Sequence, residues 1–314
     1  MSHDHHHHQT DNKRVLLIAP GLISLLVIVE VIGGLVTNSL ALLADATHML
    51  SDFFSIGLAF LAFKFGAWEA SKSKTFGYRR FEILAALVNG LVLIGVSVFI
   101  IWHAIERFIS PPEVAGGGVL IVAGFAIVIN LLIAWVFIRG SDVKGNLNMQ
   151  GAFAHVLGDI LSTIGVLISA LLVIFFNWTY ADPIVSVIVA LLILLTGFRI
   201  AKNAIHVLME GIPQNVDVDK VIQTIQNKKG IHNVHDMHVW SITSGLNALS
   251  CHAVVGEHMS IAEGEEMLRQ IEQELERQNI HHMTIQLETP DHQHDNSIWC
   301  KVKGESSGGG HHHH

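Results

Sequence analysis

The chain has 314 residues, 50% of them hydrophobic and 15% charged, with a mean hydropathy of +0.46. Such values suit a membrane protein with several spans and a modest soluble part. Only two cysteines occur, Cys251 and Cys300, so the sequence offers no disulfide framework and is compatible with a reducing compartment. Charge is unevenly placed. Residues 1–211 carry 12 Lys/Arg against 13 Asp/Glu, whereas residues 212–314 carry 7 against 14. An acidic tail argues against nucleic acid as a partner and favours attraction of cations.

Residues 1–12 form a polar, His-rich tail, in which His3-Asp4-His5 and the histidines up to His8 read equally as a tag or as a metal-gathering segment. No cleavable signal peptide is expected, because the first apolar segment is long enough to stay in the membrane. Six apolar segments, each about 20 residues or more, read as transmembrane helices. They run near Val15–Val36, Leu40–Phe65, Phe81–Ile101, Val114–Ile138, Met149–Phe176 and Pro183–Leu208. Basic residues gather in alternate connections: Lys13 and Arg14, then Lys64, Lys72, Lys74, Arg79 and Arg80, then Arg139 and Lys144, then Arg199 and Lys202. The opposite connections, Thr37-Asn38-Ser39 and Asn177–Asp182, carry none. The positive-inside rule therefore places both termini in the cytoplasm of a multi-pass cell-membrane protein.

After Gly211-Ile212-Pro213 the pattern changes. Val218–Lys228 reads as an amphipathic helix, and Val234–Ile242 and Leu246–Val255 read as strands. Ser260–Gln278 reads as a charged amphipathic helix capped by Ser260, and Met283–Leu287 as a last strand. The predicted architecture is an all-α membrane bundle of six transmembrane helices over 13–211, followed by a small αββαβ (α+β) cytoplasmic domain over 212–300. Residues 301–314 read as a linker and tag.

The sharpest chemical signal is a repeated His-x-x-x-Asp phrase, His48 with Asp52 and His155 with Asp159, in the second and fifth predicted spans. Residues at i and i+4 share one helix face, so each helix presents an imidazole and a carboxylate together. Two nitrogens and two oxygens make a natural tetrahedral set for Zn²⁺. An isolated histidine in such a helix is as often a satisfied structural group as a ligand, but two matched sets favour metal. The phrases occupy equivalent places in two three-helix halves, which must then be inverted relative to one another. Without cysteine in the membrane half, the site points to an exchangeable ion rather than a fixed one. Asp45 reads as a ligand, a partner orienting His48 or a helix-start group, the second being favoured. In the tail, His235, His252 and His281 fall on or next to the predicted strands, and Glu288 ends the third. One sheet can gather these into a second metal site; ordinary surface histidines are the equal alternative.

Taken together, these residues resemble the cation diffusion facilitator family, and within it the bacterial zinc, cobalt and cadmium resistance exporters. The resemblance covers residues 13–300 and is carried by the stretch Asn38–Asp52, by Thr75–Leu84 and by Ala154–Asp159. In the tail it is carried by His235-Asp236-Met237-His238-Val239-Trp240-Ser241 and Met283–Glu288. It implies a homodimer in the bacterial inner or plasma membrane, a metallochaperone-like cytoplasmic domain and Zn²⁺/proton antiport by alternating access; exchange for K⁺ in place of protons is left open. It makes His48, Asp52, His155 and Asp159 the transport site, and His235, His252, His281 and Glu288 cytoplasmic metal ligands that strengthen the dimer. It also implies an ion pair between Arg80 and Glu210. The extra metal site of some members is missing, because Trp68–Lys74 lacks its Asp and His residues. Gln286 stands where a further ligand would, which implies a mononuclear cytoplasmic site. His48 implies zinc and leaves Co²⁺ and Cd²⁺ open as further substrates.

No enzymatic activity is expected. A membrane zinc hydrolase would need a general base beside the paired phrases, and His-Glu-x-x-His is absent. The alternative function is a membrane-anchored zinc sensor that binds metal without moving it. That reading leaves the paired intramembrane phrases without a purpose.

Overall fold

A computed structural model describes residues 7–66, 68, 70–140, 147–291 and 297–299; for part of the helical residues, Asp52 among them, it describes the backbone alone. The side chains of the His-rich tract, His292, His294, Cys300 and the linker over 301–314 lie outside the described residues. The element order is α1 (His7–Thr37), α2 (Leu40–Gly66), α3 (Phe81–Ile109), α4 (Gly116–Gly140), α5 (Leu147–Phe176), α6 (Ala181–Leu208), α7 (Val218–Gln226), β1 (Ile231–Thr243), β2 (Leu246–Val255), α8 (Ile261–Glu276) and β3 (His282–Glu288). Two compact units result, one of Met1–Lys64 with Leu84–Lys202, the other of Phe65–Ile83 with Asn203–His314.

The first unit is helical because apolar backbone away from water must satisfy its own hydrogen bonds. Each predicted apolar segment coincides with one of α1–α6. Among the described residues, four stretches are long and apolar enough to cross a membrane: Phe81–Ile109, Gly116–Trp135, His155–Phe176 and Ala181–Leu208. In α1 the described apolar stretch, Gly21–Thr37, is shorter. The outward faces are apolar, with Ile121 75% and Leu161 70% exposed.

Helix α2 is the shared wall of the interior. Its Met49 packs with Leu26 and Val27 of α1, Ile129 of α4 and Val156 of α5. Its Leu40 and Ala44 pack with Leu93 of α3 and Ile193 of α6, and its Ala41 and Leu42 with Val119 of α4 and Val166 of α5. Helices α3 and α6 approach through glycines. A Cβ on Gly197 would lie 2.8 Å from the Leu93 Cβ and 2.9 Å from the Gly90 carbonyl oxygen. Small residues are how helices come close where water supplies no hydrophobic drive.

A buried polar knot fixes the start of α2. The Asp182 carboxylate accepts hydrogen bonds from the Ser39 hydroxyl at 2.5 Å and the Leu40 backbone N–H at 2.9 Å. Arg107 donates to the Asn38 carbonyl at 2.6 Å, to the Asn38 side-chain oxygen at 2.9 Å and to Asp182 at 3.4 Å. Asn38 makes the turn in the left-handed region, at φ 54°. Sequence position alone assigns Asp182 to its own helix; the structure shows it also capping α2, across 142 residues of chain. Its negative charge meets the positive end of that helix dipole.

In the second unit β1 and β2 pair antiparallel, and β3 adds parallel to β2 after crossing through α8. Val221, Ile222 and Ile225 of α7 and Met267, Ile271 and Leu275 of α8 share one core with Val234, Met237 and Leu249 of the sheet. The expected αββαβ order holds, with β1 starting three residues earlier than its apolar alternation indicates. Ser260 caps α8 in a reciprocal capping box with Glu263. Those bonds hold the Glu263 carboxyl below the usual carboxylate range.

Replacing Asp182 by Ala removes the acceptor of the Ser39 and Leu40 bonds and leaves Arg107 short of its counter-charge. The expected loss is about 1–3 kcal/mol, read as a lower thermal midpoint of the detergent-purified protein. Asp182→Asn, which keeps one acceptor oxygen, is expected to lose less; equal midpoints for all three proteins would overturn the capping role.

Candidate metal centres

The first centre arises where α2 meets α5. The His48 Nε2 lies 3.6 Å from Asp159 Oδ1, and the His155 Nε2 lies 3.8 Å from Asp159 Oδ2. The two imidazoles stand edge to face, with centroids 5.7 Å apart. His48, His155 and Asp159 each bring one ligand-type atom within 4.8 Å of the others. Donor atoms bound tetrahedrally to Zn²⁺ at about 2.0–2.1 Å stand about 3.3–3.4 Å apart, so little contraction is needed to close on an ion. The side chain of Asp52, the fourth expected member, lies outside the described residues. Its backbone position on α2, one turn beyond His48, puts it on the same helix face.

Asp45 ties the two helices together from the side. It is fully buried on α2 and accepts hydrogen bonds from the Ser162 hydroxyl at 2.6 Å and the Thr163 hydroxyl at 3.0 Å. Both donors lie on α5 in the turn after Asp159. The Asn130 side-chain amide of α4 donates to the Thr163 oxygen at 3.2 Å. These contacts hold α5 in register against α2, and the two imidazoles depend on that register. Sequence spacing singles out Asp45 but carries no sign of its α5 partners.

The second centre is built on the sheet. Register pairs His235 directly with His252, and β3 runs parallel to β2 so that Glu288 lies beside Val254. His252 Nδ1 lies 2.5 Å from Glu288 Oε1, and His235 Nε2 lies 3.5 Å from Glu288 Oε2. These three side chains form the second group whose ligand-type atoms all lie within 4.8 Å of one another. A β-bulge borders the arrangement. The β1–β2 register shifts between His235 and His238, and Asp236 takes a left-handed φ of 50°. The extra residue follows His235; Val234 and His235 pair regularly with Ala253 and His252, and both are buried, on opposite faces of the strand. Sequence alternation alone does not reveal this bulge.

His281 does not join that group. It precedes β3, whereas Glu288 ends it, so about 23 Å of extended chain separates the two. The expected set of His235, His252, His281 and Glu288 within one sheet is therefore corrected to His235, His252 and Glu288. In its place Asp236 approaches, with Oδ2 3.6 Å from the His252 Nε2 and Oδ1 3.1 Å from the His238 Nε2. The Gln286 amide donates to Glu288 Oε1 at 2.9 Å and so helps to orient that carboxylate. Neighbouring Cys251 is buried, and burial together with the nearby Asp236 pushes its thiol up to about 12, so it stays a neutral packing group. Also within the second unit, Arg80 and Glu210 form the expected ion pair, at 3.1 Å.

Apolar helices long enough for a bilayer, with a His/carboxylate group inside the helical unit and another on an αββαβ sheet, define a class: a multi-pass membrane protein of metal-handling design. Comparison with known proteins gives the family. Residues 16–209 match the cation efflux transmembrane domain, and residues 213–290 match the cytoplasmic domain of cation efflux proteins. The chain belongs to the cation efflux family. It is 53% identical over 301 residues to a cadmium, cobalt and zinc/H⁺-K⁺ antiporter of Bacillus subtilis (strain 168), covering 96% of this chain and 97% of that protein. It is 37% identical over 284 residues to the metal cation efflux system protein CzcD of Cupriavidus metallidurans, covering 90% and 89%. It is 38% identical over 296 residues to the zinc transporter ZitB of Escherichia coli (strain K12), covering 92% and 93%.

Asp45→Ala would leave the Ser162 and Thr163 hydroxyls without their carboxylate acceptor. We expect a destabilisation of about 2–4 kcal/mol from losing two bonds to a charged group, read as a fall in thermal midpoint. An unchanged midpoint would show that the α2–α5 register is held elsewhere.

Proposed function

We propose that this chain exports Zn²⁺, with Co²⁺ and Cd²⁺ as further substrates, from the cytoplasm in exchange for protons by alternating access. The observation that carries this reading is the convergence of His48 and His155 on Asp159, from two different helices of an apolar bundle. Asp52 is assigned as the fourth ligand. Neutral imidazoles and carboxylates bind a divalent ion; the same atoms bind protons when the ion leaves. A site that holds either, but not both, is the elementary requirement of an antiporter. The metal here is cargo. The Bacillus relative, a cadmium, cobalt and zinc/H⁺-K⁺ antiporter, supports all three substrates and adds K⁺ to protons as a counter-ion, and the Escherichia relative, a zinc transporter, supports zinc.

The working organisation is a six-span bundle over 13–211 and a cytoplasmic domain over 212–300, with both termini in the cytoplasm. The alternation of basic connections supports that orientation. His235, His252 and Glu288 are assigned to a resident Zn²⁺ that strengthens a homodimer, and the Arg80–Glu210 pair to the junction between membrane and cytoplasmic parts. The chain is not assigned an enzymatic activity.

The test is zinc uptake into inverted membrane vesicles carrying the full-length protein. Uptake is expected to rise when the interior is acidified and to collapse when an ionophore dissipates the gradient. Asp159→Asn is expected to slow it at least about tenfold, through loss of a charged ligand. Transport indifferent to the gradient would sink the proton coupling, and transport unaffected by Asp159→Asn would sink the site.

Metal content separates the two centres. The wild-type protein, equilibrated with zinc and washed, is expected to retain more metal per chain than His235→Ala, while His235→Ala keeps measurable vesicle uptake. Equal metal content in the two proteins would remove the sheet centre from the scheme.

A further inference from the structure

One buried acid of the helical unit has no place in the scheme so far. Glu30 lies on α1 with a side chain fully buried, and neither of its carboxyl oxygens has a hydrogen-bond partner among the described residues. Its surroundings on α1 are apolar, with Leu26 and Val27 one turn away in the cluster that also holds Met49 and Val156. Leu26 and Val27 pack with Met49, which lies one turn after Asp45, so the antiparallel α1–α2 pair carries Glu30 and Asp45 at one level. Depth agrees with this. Glu30 lies seven residues before the end of α1 at Thr37, and His48 eight residues after the start of α2 at Leu40. At 1.5 Å per residue both stand about 10–12 Å from the shared turn. A bare carboxylate in such surroundings is costly unless a cation meets it, and intramembrane acids by default mark ion paths.

The donors of Glu30 and of the Asp45 cluster differ in kind from those of the zinc group. Glu30 and Asp45 supply carboxylate oxygens, and Ser162 and Thr163, both already bonded to Asp45, supply hydroxyl oxygens. Asn130, bonded to Thr163, is buried beside them. No nitrogen ligand belongs to this set, whereas the neighbouring group offers two imidazoles. Imidazole suits zinc; oxygen-only sets suit hard cations. Transporters place coupling ions beside the substrate near mid-membrane, and here Asp45 stands one turn before His48 on α2 and Thr163 one turn after Asp159 on α5.

The geometry points to a second, oxygen-only cation site formed by Glu30 and Asp45 with the Ser162 and Thr163 hydroxyls, which takes the alkali-metal counter-ion, K⁺ or Na⁺. This rests on the antiport reading above and gives its potassium arm a location. An alkali ion between Glu30 and Asp45 places positive charge next to the zinc group, so the two occupancies oppose one another. Mutual exclusion of cargo and counter-ion is what exchange requires. Ser162 and Thr163 then do two jobs, bonding Asp45 when the ion is absent and turning lone pairs to it when present.

The experiment uses the detergent-purified full-length protein and radioactive rubidium as a potassium surrogate, with choline holding ionic strength. Saturable rubidium binding displaced by K⁺ is expected for the wild type and absent from Glu30→Gln. K⁺ is also expected to weaken zinc binding about fivefold or more, the usual size of coupling between sites, and Glu30→Gln is expected to bind zinc with no K⁺ effect. Stronger displacement by Na⁺ than by K⁺ would support the site and name sodium as its ion. Absence of displaceable rubidium binding to the wild type would overturn the proposal whatever the variant does, as would displacement by acid alone. If Glu30→Gln fails to fold, Glu30→Asp decides: it keeps the charge on a shorter arm, and unchanged rubidium affinity would count against the site. Zinc uptake in wild-type vesicles is read separately, so its failure would remove the antiport reading while rubidium binding judges this site.

Discussion

The helical unit depends on one constraint: charged groups withdrawn from water must be met by other polar groups, and the α2–α5 contact is where this is arranged. Asp45 is fully buried, and the hydroxyls of Ser162 and Thr163 cross the helix interface to reach it. In a low-dielectric interior those bonds are strong when made and expensive when missing. They therefore choose one rotational register of α5 against α2. That register sets His48 and His155 around a single carboxylate, Asp159. A rotation of α5 by one residue, about 100°, would turn His155 off the shared face. Positioning of the metal group is thus a by-product of satisfying a different buried charge.

The sheet centre reaches a similar end by another route. Strand pairing brings His235 opposite His252, but a regular strand would point neighbouring side chains to opposite faces. The bulge at Asp236, just after His235, interrupts that regularity and keeps Asp236 close to His252. Residues 297 and 298 pair with the backbone of the bulge, at Asp236 and Met237. Each centre therefore relies on a local departure or a remote tie, and neither is produced by regular secondary structure alone.

That explains which parts were legible in the sequence. Apolar length marks α1–α6 and alternation marks β1–β3, because hydrophobic pattern is a property of consecutive residues. The i, i+4 spacing of His48 with Asp52 and of His155 with Asp159 is equally local. Partnership across the fold is not local. Nothing near Asp182 signals that it caps α2, and nothing near Asp45 signals Ser162. His281 shows the opposite error, since proximity to a strand in sequence says nothing about which end of that strand carries the site. Strand direction decides it, and direction is set by the α8 crossover that makes β3 parallel to β2.

The two His-x-x-x-Asp phrases suggest equal halves, yet the residues around them are unequal. The position three before His48 is Asp45, whereas the position three before His155 is Ala152. The residue four beyond Asp159 is Thr163, a donor to Asp45; four beyond Asp52 is Ile56. So α2 carries an additional charge and α5 carries the hydroxyls that answer it. A perfectly repeated pair of helices would bring either two acids or two donor sets together, and neither could satisfy itself. The asymmetry lets one helix hold the other while His48 and His155 converge on Asp159. It also places two acids, Asp45 and Glu30, on the α1–α2 side. These acids lie on one flank of the group, and the half-repeat acquires a direction that its motifs alone do not have.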